Sequence, residues 1–110
     1  MHRIGNFVAV ITEAEIDGVG LITACRNPAE RLATFQAATW RLLVVARAFE
    51  CPGAEQAVAL DRHLRTTLAG IHVRSAWFRA SPDRIAIEAA AFANRHGFAI
   101  SEVRTEGGLL

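Results

Sequence analysis

The chain has 110 residues, of which 52% are hydrophobic and 21% charged, and its formal net charge is +1. This size and composition predict one domain, residues 1–110, with a substantial core, and they exclude a disordered chain. The sequence has neither the roughly 18-residue apolar run of a membrane span nor a leader-like start, so we expect a cytoplasmic protein without a membrane partner.

The first half of the chain alternates short apolar runs with turn residues. Two runs, residues 7–12 (FVAVIT) and 19–23 (VGLIT), predict a β-hairpin with a polar connection. Asn27 then suits an N-cap and Pro28 the first position of a helix of about ten residues. A third, buried strand is predicted at residues 41–49, where a Cys-Pro-Gly turn follows the apolar run.

The second half is predicted to be mainly helical. Apolar residues at helical spacing indicate a helix over 54–69, and Gly70 separates it from a short extended piece, residues 72–78. A last helix over 81–96 has a serine N-cap, a proline at its first position and Gly97 at its C′ position. The tail, residues 97–110, contains a strand-like AISEV run. The order ββαβα, short strand, α describes a small α+β domain.

Positive charge is concentrated between Leu60 and Phe78. Residues 61–79 hold one acid and four arginines, whereas the segments before and after each sum to −1. We call these four residues the arginine stripe: Arg62, Arg65, Arg74 and Arg79. Guanidinium groups bind phosphate in a planar, bidentate way, so the stripe predicts a polyanion as partner. The alternative interpretation is a solvated face, because charge clusters usually face water.

The aromatic residues and cysteines divide into predicted core and predicted surface. Trp77 and Phe78 are expected to fill the space between sheet and helices, whereas Trp40, in a turn, is the aromatic expected at the surface. Cys25 and Cys51 are isolated in the sequence, with no Cys-x-x-Cys pair. Their spacing therefore indicates buried thiols rather than a zinc site or a disulfide framework.

Three stretches carry motifs in a recognisable order: residues 26–36 (RNPAERLATFQ), 41–43 and 60–81. A proline precedes arginine-leucine by three residues, a strand and a carboxylate-bearing helix follow, and a tryptophan-phenylalanine pair comes last. This order and spacing resemble the GIY-YIG endonuclease superfamily, in its phage- and bacteria-associated branch, over about residues 5–82. The resemblance implies a GIY-YIG-like domain: a central three-stranded, mostly antiparallel sheet flanked by about three helices.

The resemblance also assigns roles to single residues. Arg31 matches the family arginine that stabilises the attacked phosphate, and Asp61 matches the metal-binding glutamate, which would hold Mg²⁺ or Mn²⁺ in an active enzyme. No other cofactor is implied. The tyrosine of the first strand falls on Phe7 or Val8, and the lysine-bearing motif of the second falls on residues 21–23 (LIT). The water-activating groups are therefore missing, and we expect a degenerate, catalytically impaired site.

Each of these candidate site residues also has a structural interpretation. Asp61 and Arg65 lie four residues apart on one helix, so they are placed to form an ion pair of about 0.3–0.5 kcal/mol. Arg31 is placed to pair with Glu30 or with a strand carbonyl. His63 has a suitable pKa for a substitute base, but two residues along a helix it faces away from Asp61.

Three functions follow from these patterns. The first is nucleic-acid binding, with DNA favoured, through Arg31, the arginine stripe and Trp40, without cleavage. The second is a divergent metal-dependent endonuclease that uses Asp61 and Arg31. The third is a protein-interaction module in a phage or mobile-element context. The sequence leaves open DNA against RNA, the protein partner and the oligomeric state.

Overall fold

Three helices and six strands make up the part of the chain that the computed structural model describes, residues 5–14, 18–74 and 77–103. In chain order they are β1 Phe7–Glu13, β2 Gly20–Cys25, α1 Pro28–Gln36, β3 Leu43–Glu50, α2 Ala54–Thr67, β4 His72–Arg74, β5 Trp77–Phe78, α3 Pro82–Arg95 and β6 Ser101–Val103. A 3₁₀ turn, Ala69–Ile71, joins α2 to β4. The predicted α+β class is confirmed. Within these residues, no helix is long and apolar enough to cross a membrane.

The sheet is antiparallel throughout its described pairs and has the order β4-β5-β2-β1-β3-β6. Its centre is the three long strands, with Val10 of β1 opposite Ile22 of β2 and Arg47 of β3. The predicted width of three strands is too small, because β4, β5 and β6 extend the sheet on both sides. The predicted extended piece, residues 72–78, contains β4 and β5, and the predicted strand in the AISEV run contains β6, but their places in the sheet were not predicted.

Alternate residues of β1 enter two separate core clusters because successive side chains of a strand point to opposite faces. Val8 and Val10 pack with residues of α2 and α3. Phe7, Ala9 and Ile11 pack with residues of α1 on the other face. All five are fully buried. The fold therefore has three layers, with α1 on one face of the sheet and both other helices on the opposite face.

The helix ends follow the predicted capping chemistry. The Asn27 side chain accepts a hydrogen bond from the backbone N–H of Glu30 at 3.2 Å, and the Ser81 hydroxyl accepts one from the N–H of Arg84 at 3.2 Å. Gly97 has φ +72°, and its N–H and that of Phe98 bond back to carbonyls of α3. These bonds form a Schellman motif, which favours glycine at that position. All three predicted caps are confirmed.

The predicted buried aromatics and cysteines are found in the core. Phe78 is buried in the α2–α3 cluster, and Trp77 packs, partly buried, against the α1 cluster. Both cysteines are free and buried. Burial raises the pKa of Cys25 to about 11, against a smaller lowering by the charge of Arg31. Burial, with a further contribution from Glu50, raises the pKa of Cys51 to about 11. Both thiols are therefore protonated at neutral pH.

Candidate nucleic-acid interface

Arg31 lies at the start of α1 and reaches back to the second strand. Its Nη1 donates a hydrogen bond to the Thr23 hydroxyl at 3.2 Å. Thr23 is 4% exposed, and its side chain lies on the α1 face of the sheet, as those of Leu21 and Cys25 do. Arg31 therefore binds this hydroxyl in place of the predicted partners, Glu30 or a strand carbonyl. The contact fixes the guanidinium beside β2 and leaves it partly exposed.

A cavity of about 330 Å³ opens beside this guanidinium, where β2 ends and α1 begins. Its lining includes two arginines and one acid: Arg26, Arg31 and Glu30. Arg26 is exposed. Arg26 was not among the residues predicted from the sequence. Its position directly before the Asn27 cap could have indicated it, because the residue before an N-cap lies beside the N-terminus of the helix.

Asp61 and Arg65 form the predicted ion pair on α2. Arg65 Nε lies 2.9 Å from Asp61 Oδ1, and Arg65 Nη2 donates to the backbone carbonyl of Ile22 at 2.7 Å. The side chains are 20% exposed for Asp61 and 39% for Arg65. The pair therefore faces β2 and does not lie on the outer face of the helix. Arg65 links the carboxylate to a strand 43 residues earlier in the chain.

The two guanidinium groups approach the same stretch of β2 from opposite faces of the sheet. Arg31 binds Thr23 from the α1 side, and Arg65 binds the adjacent Ile22 from the α2 side. Consecutive Cα atoms lie about 3.8 Å apart, so the two donor nitrogens are at most roughly 12 Å apart. We call this region the β2 edge. Among the described residues, β5 pairs with β2 at Gly20 and Leu21.

The other members of the arginine stripe have different positions. Arg62 is exposed on α2, next to Asp61, and Arg79 is exposed directly after β5. Arg74 belongs to β4, but its side chain lies outside the described residues. The residues of the β2 edge and their neighbours in the chain include four arginines (Arg26, Arg31, Arg62 and Arg65) and two carboxylates (Glu30 and Asp61), which sum to +2. The edge is electropositive although the whole chain is nearly neutral.

Trp40 is as exposed as predicted, at 88%, but it does not join the β2 edge. It lies in the turn between α1 and β3. Its neighbour Arg41 bonds Glu13, which lies four residues along β1 from Ala9, the partner of Thr23, so the turn and the Arg31–Thr23 contact are about 13 Å apart along the sheet. The Arg41 guanidinium lies 5.0 Å from the Trp40 ring centroid and also bonds Glu13 at 2.7 Å.

The positions to which the resemblance assigns water activation are buried, and the candidate substitute base His63 points elsewhere. Phe7 and Val8 are fully buried. His63 faces α3, as predicted: its Nε2 lies 3.1 Å from Glu88 Oε1, and its ring stacks on Phe92 at 4.3 Å. The side chain of His72 lies outside the described residues. At the β2 edge no described group is positioned to deprotonate water beside Asp61.

The donor set also fits a divalent cation poorly. Magnesium sites commonly use one or two carboxylates together with substrate phosphates. Here the Asp61 oxygen is 2.9 Å from a guanidinium nitrogen, which places positive charge where the ion would bind. Among the described residues, no group of three or more His, Cys, Asp or Glu side chains is arranged to hold a metal ion. The guanidinium groups at the β2 edge therefore suit an anion better than a cation.

Comparisons with known proteins do not extend these observations. No protein-family model matches the chain, and searches of curated proteins and of solved structures give no match.

Proposed function

We propose that this domain binds nucleic acid, with DNA favoured, through the β2 edge, and that it does not cleave it efficiently. The observation that carries the proposal is the convergence of Arg31 and Arg65 on Thr23 and Ile22 from opposite faces of the sheet. Each guanidinium uses one nitrogen or two for these internal bonds, and five N–H donors are available on each. Among the described residues the remaining donors have no acceptor, so they are able to contact phosphate oxygens.

The expected binding mode is contact with the phosphate backbone. Both anchored arginines are held by hydrogen bonds, so less side-chain entropy is lost when phosphate binds than for a fully mobile side chain. Arg62 and Arg26 extend the positive surface on either side. Phosphate contacts position a protein on DNA but carry no sequence information directly. We therefore expect the affinity for DNA to depend steeply on salt concentration and little on DNA sequence.

The GIY-YIG-like fold is part of the same proposal. In support, the long strands and the helices follow the expected order, β1 lies between β2 and β3, and three helices flank the sheet. Arg31 and Asp61, which match the family's phosphate-binding and metal-binding positions, both approach β2. Catalytic impairment follows from the buried Phe7 and Val8 and from the pairing of Asp61 with Arg65.

Fluorescence anisotropy with duplex and branched DNA tests the binding proposal. Four phosphate contacts give a slope of log K against log salt of roughly −3 to −4. The double substitution Arg31→Gln and Arg65→Gln is expected to reduce that slope by about 2, because each lost contact removes close to one unit. Arg84→Gln with Arg95→Gln, at two exposed arginines of α3, is the matched control, because it removes the same charge.

Two results would overturn the proposal. One is no detectable binding at about 50 mM salt, where phosphate contacts are strongest. The other is an equal effect of the control and of the double variant, which would assign binding to net charge alone. Circular dichroism of both variants checks that they are folded.

A nicking assay with Mg²⁺ or Mn²⁺ tests the lack of efficient cleavage. We expect no nicking above background, because a missing general base alone costs about 10²–10⁴-fold in rate. Nicking that Asp61→Ala abolishes would show an active metal-dependent nuclease instead.

A further inference from the structure

Two features of the molecule have no part in the proposed nucleic-acid interface. One is a projecting apolar turn, which we call the knob: Trp40 and Leu42, 88% and 66% exposed, with Arg41 between them. Large apolar side chains that project together from a surface are a common mark of a protein contact. The other is a groove between α3 and the edge strand β6, with a volume of about 640 Å³.

The knob is held rigidly by backbone hydrogen bonds. The Gln36 side chain donates to the carbonyl of Arg41 at 2.7 Å and accepts from the N–H of Leu43 at 2.9 Å. The carbonyl of Leu42 accepts from the N–H of Ala14 at 2.8 Å. A preorganised turn loses little entropy on binding, so its apolar side chains are well suited to a docking contact.

The groove combines an apolar lining with surplus negative charge. Its apolar residues are Phe49, Ala86, Ile87, Ala90 and Ile100. At one end, Arg47 binds both Asp83, at 2.6 Å, and Glu102, at 3.0 Å. Two carboxylates thus share one guanidinium, and the side chain of Asp83 is 80% exposed. One negative charge remains for a cationic group outside the molecule.

We propose that the groove binds the knob of a second copy of this chain. The indole of Trp40 enters the apolar part. The adjacent Arg41, whose side chain is 54% exposed, bonds Glu13 of its own chain through Nη1 and meets the carboxylate of Asp83 with its other donors. The cavity is large enough for an indole, since ligand-binding pockets of about 300–1,000 Å³ take whole small molecules. The contact matches apolar side chains with an apolar groove and guanidinium donors with a carboxylate.

The contact is small, and its strength follows from its size. A buried tryptophan removes about 150–250 Å² from water, well below the roughly 1,200 Å² of a stable interface. We therefore expect weak association, with a Kd on the order of 100 µM. The knob and the groove are different surfaces. Copies therefore associate either head to tail, through one knob–groove contact per pair, or as a closed dimer with two reciprocal contacts.

Sedimentation velocity at rising protein concentration tests the proposal with two variants. Trp40→Ala removes the knob and keeps the groove, and Ala90→Lys fills the groove and keeps the knob. Both positions are exposed, so neither change disturbs the core. Each variant alone is expected to weaken self-association more than about tenfold, as loss of an interface hot spot does. An equimolar mixture is expected to regain association, because one intact knob meets one intact groove.

Val58→Ala is the matched control, since Val58 is a half-exposed apolar residue on α2 and belongs to neither surface. It is expected to leave self-association unchanged. The proposal is overturned by a wild-type chain that stays monomeric at millimolar concentration, by variants that associate as the wild type does, or by a mixture that remains monomeric. A Trp40→Ala variant that weakens DNA binding without changing self-association would also overturn it and assign the knob to nucleic acid.

Discussion

Replacement of Asp61 by asparagine separates binding from cleavage, because the two functions predict effects of opposite sign. Asparagine keeps the shape of the side chain and an oxygen that accepts from Arg65 Nε, but it removes the negative charge. In a nuclease the substitution removes the metal ligand and abolishes cleavage. In a phosphate-binding surface it removes a repulsive charge and releases Arg65 from its ion pair. The proposed function therefore predicts tighter binding of DNA.

The size of the gain follows from Coulomb's law. A unit charge about 4 Å from a phosphate, in water, contributes about 1 kcal/mol, or a factor of about five in affinity. Salt screens part of this, so we expect binding about threefold to fivefold tighter at roughly 50 mM salt. The loss of stability is expected to stay below about 1 kcal/mol, as for other partly exposed ion pairs.

Fluorescence anisotropy at low micromolar protein measures the effect, with Glu102→Gln as the control. This substitution also removes one negative charge, but Glu102 lies on β6, three strands away from β2. At about 4.8 Å per strand, the separation of Glu102 from β2 exceeds the Debye length of about 10 Å at 0.1 M salt, so the two variants are compared at that salt concentration. A global charge effect would make both variants bind equally. Equal binding, or weaker binding by Asp61→Asn, would refute the reasoning.

Three further predictions concern the fold. Leu64→Ala should lower the free energy of unfolding by about 2–5 kcal/mol in urea denaturation, because it opens a cavity in the core. Val58→Ala, at a half-exposed site, should lower it much less. Equal losses for the two variants would contradict the assigned core. Gly97→Ala should cost about 1 kcal/mol because φ there is +72°, and an unchanged denaturation midpoint would argue against the Schellman motif. The pKa values of Cys25 and Cys51 are raised from 9.0 to about 11, so their stabilising contribution is complete below pH 9 and declines towards pH 11. Urea midpoints measured across that range should fall less for a double Cys→Ala variant than for the wild type.

The helix caps show what local sequence predicts well. Asn27, Ser81 and Gly97 act through hydrogen bonds within about five residues, so their chemistry is complete in the sequence. The apolar run of β1 similarly predicts a strand. The short strands β4, β5 and β6 were predicted as extended segments, but their pairing was not, because it depends on neighbours that are distant in sequence or on the fold around them.

The candidate site was predictable in its residues but not in its arrangement. Helical spacing predicts the Asp61–Arg65 pair, and the resemblance selects Arg31 and Asp61. No spacing rule predicts that Arg65 reaches Ile22, or that Arg31 binds the Thr23 hydroxyl, since both contacts depend on how the helices pack on β2. The same packing keeps Trp40 away from the arginines with which it was grouped.

The sequence by itself thus determined the α+β class, the helix ends and the local excess of arginine, because periodicity, capping and charge are local properties. Only the tertiary structure decided which arginines act together. Contacts between α1, α2 and β2 join residues that are far apart in the chain, and the entropy lost in bringing them together is offset by burial of the core, not by the site residues themselves. The geometry of the β2 edge is therefore a consequence of the fold.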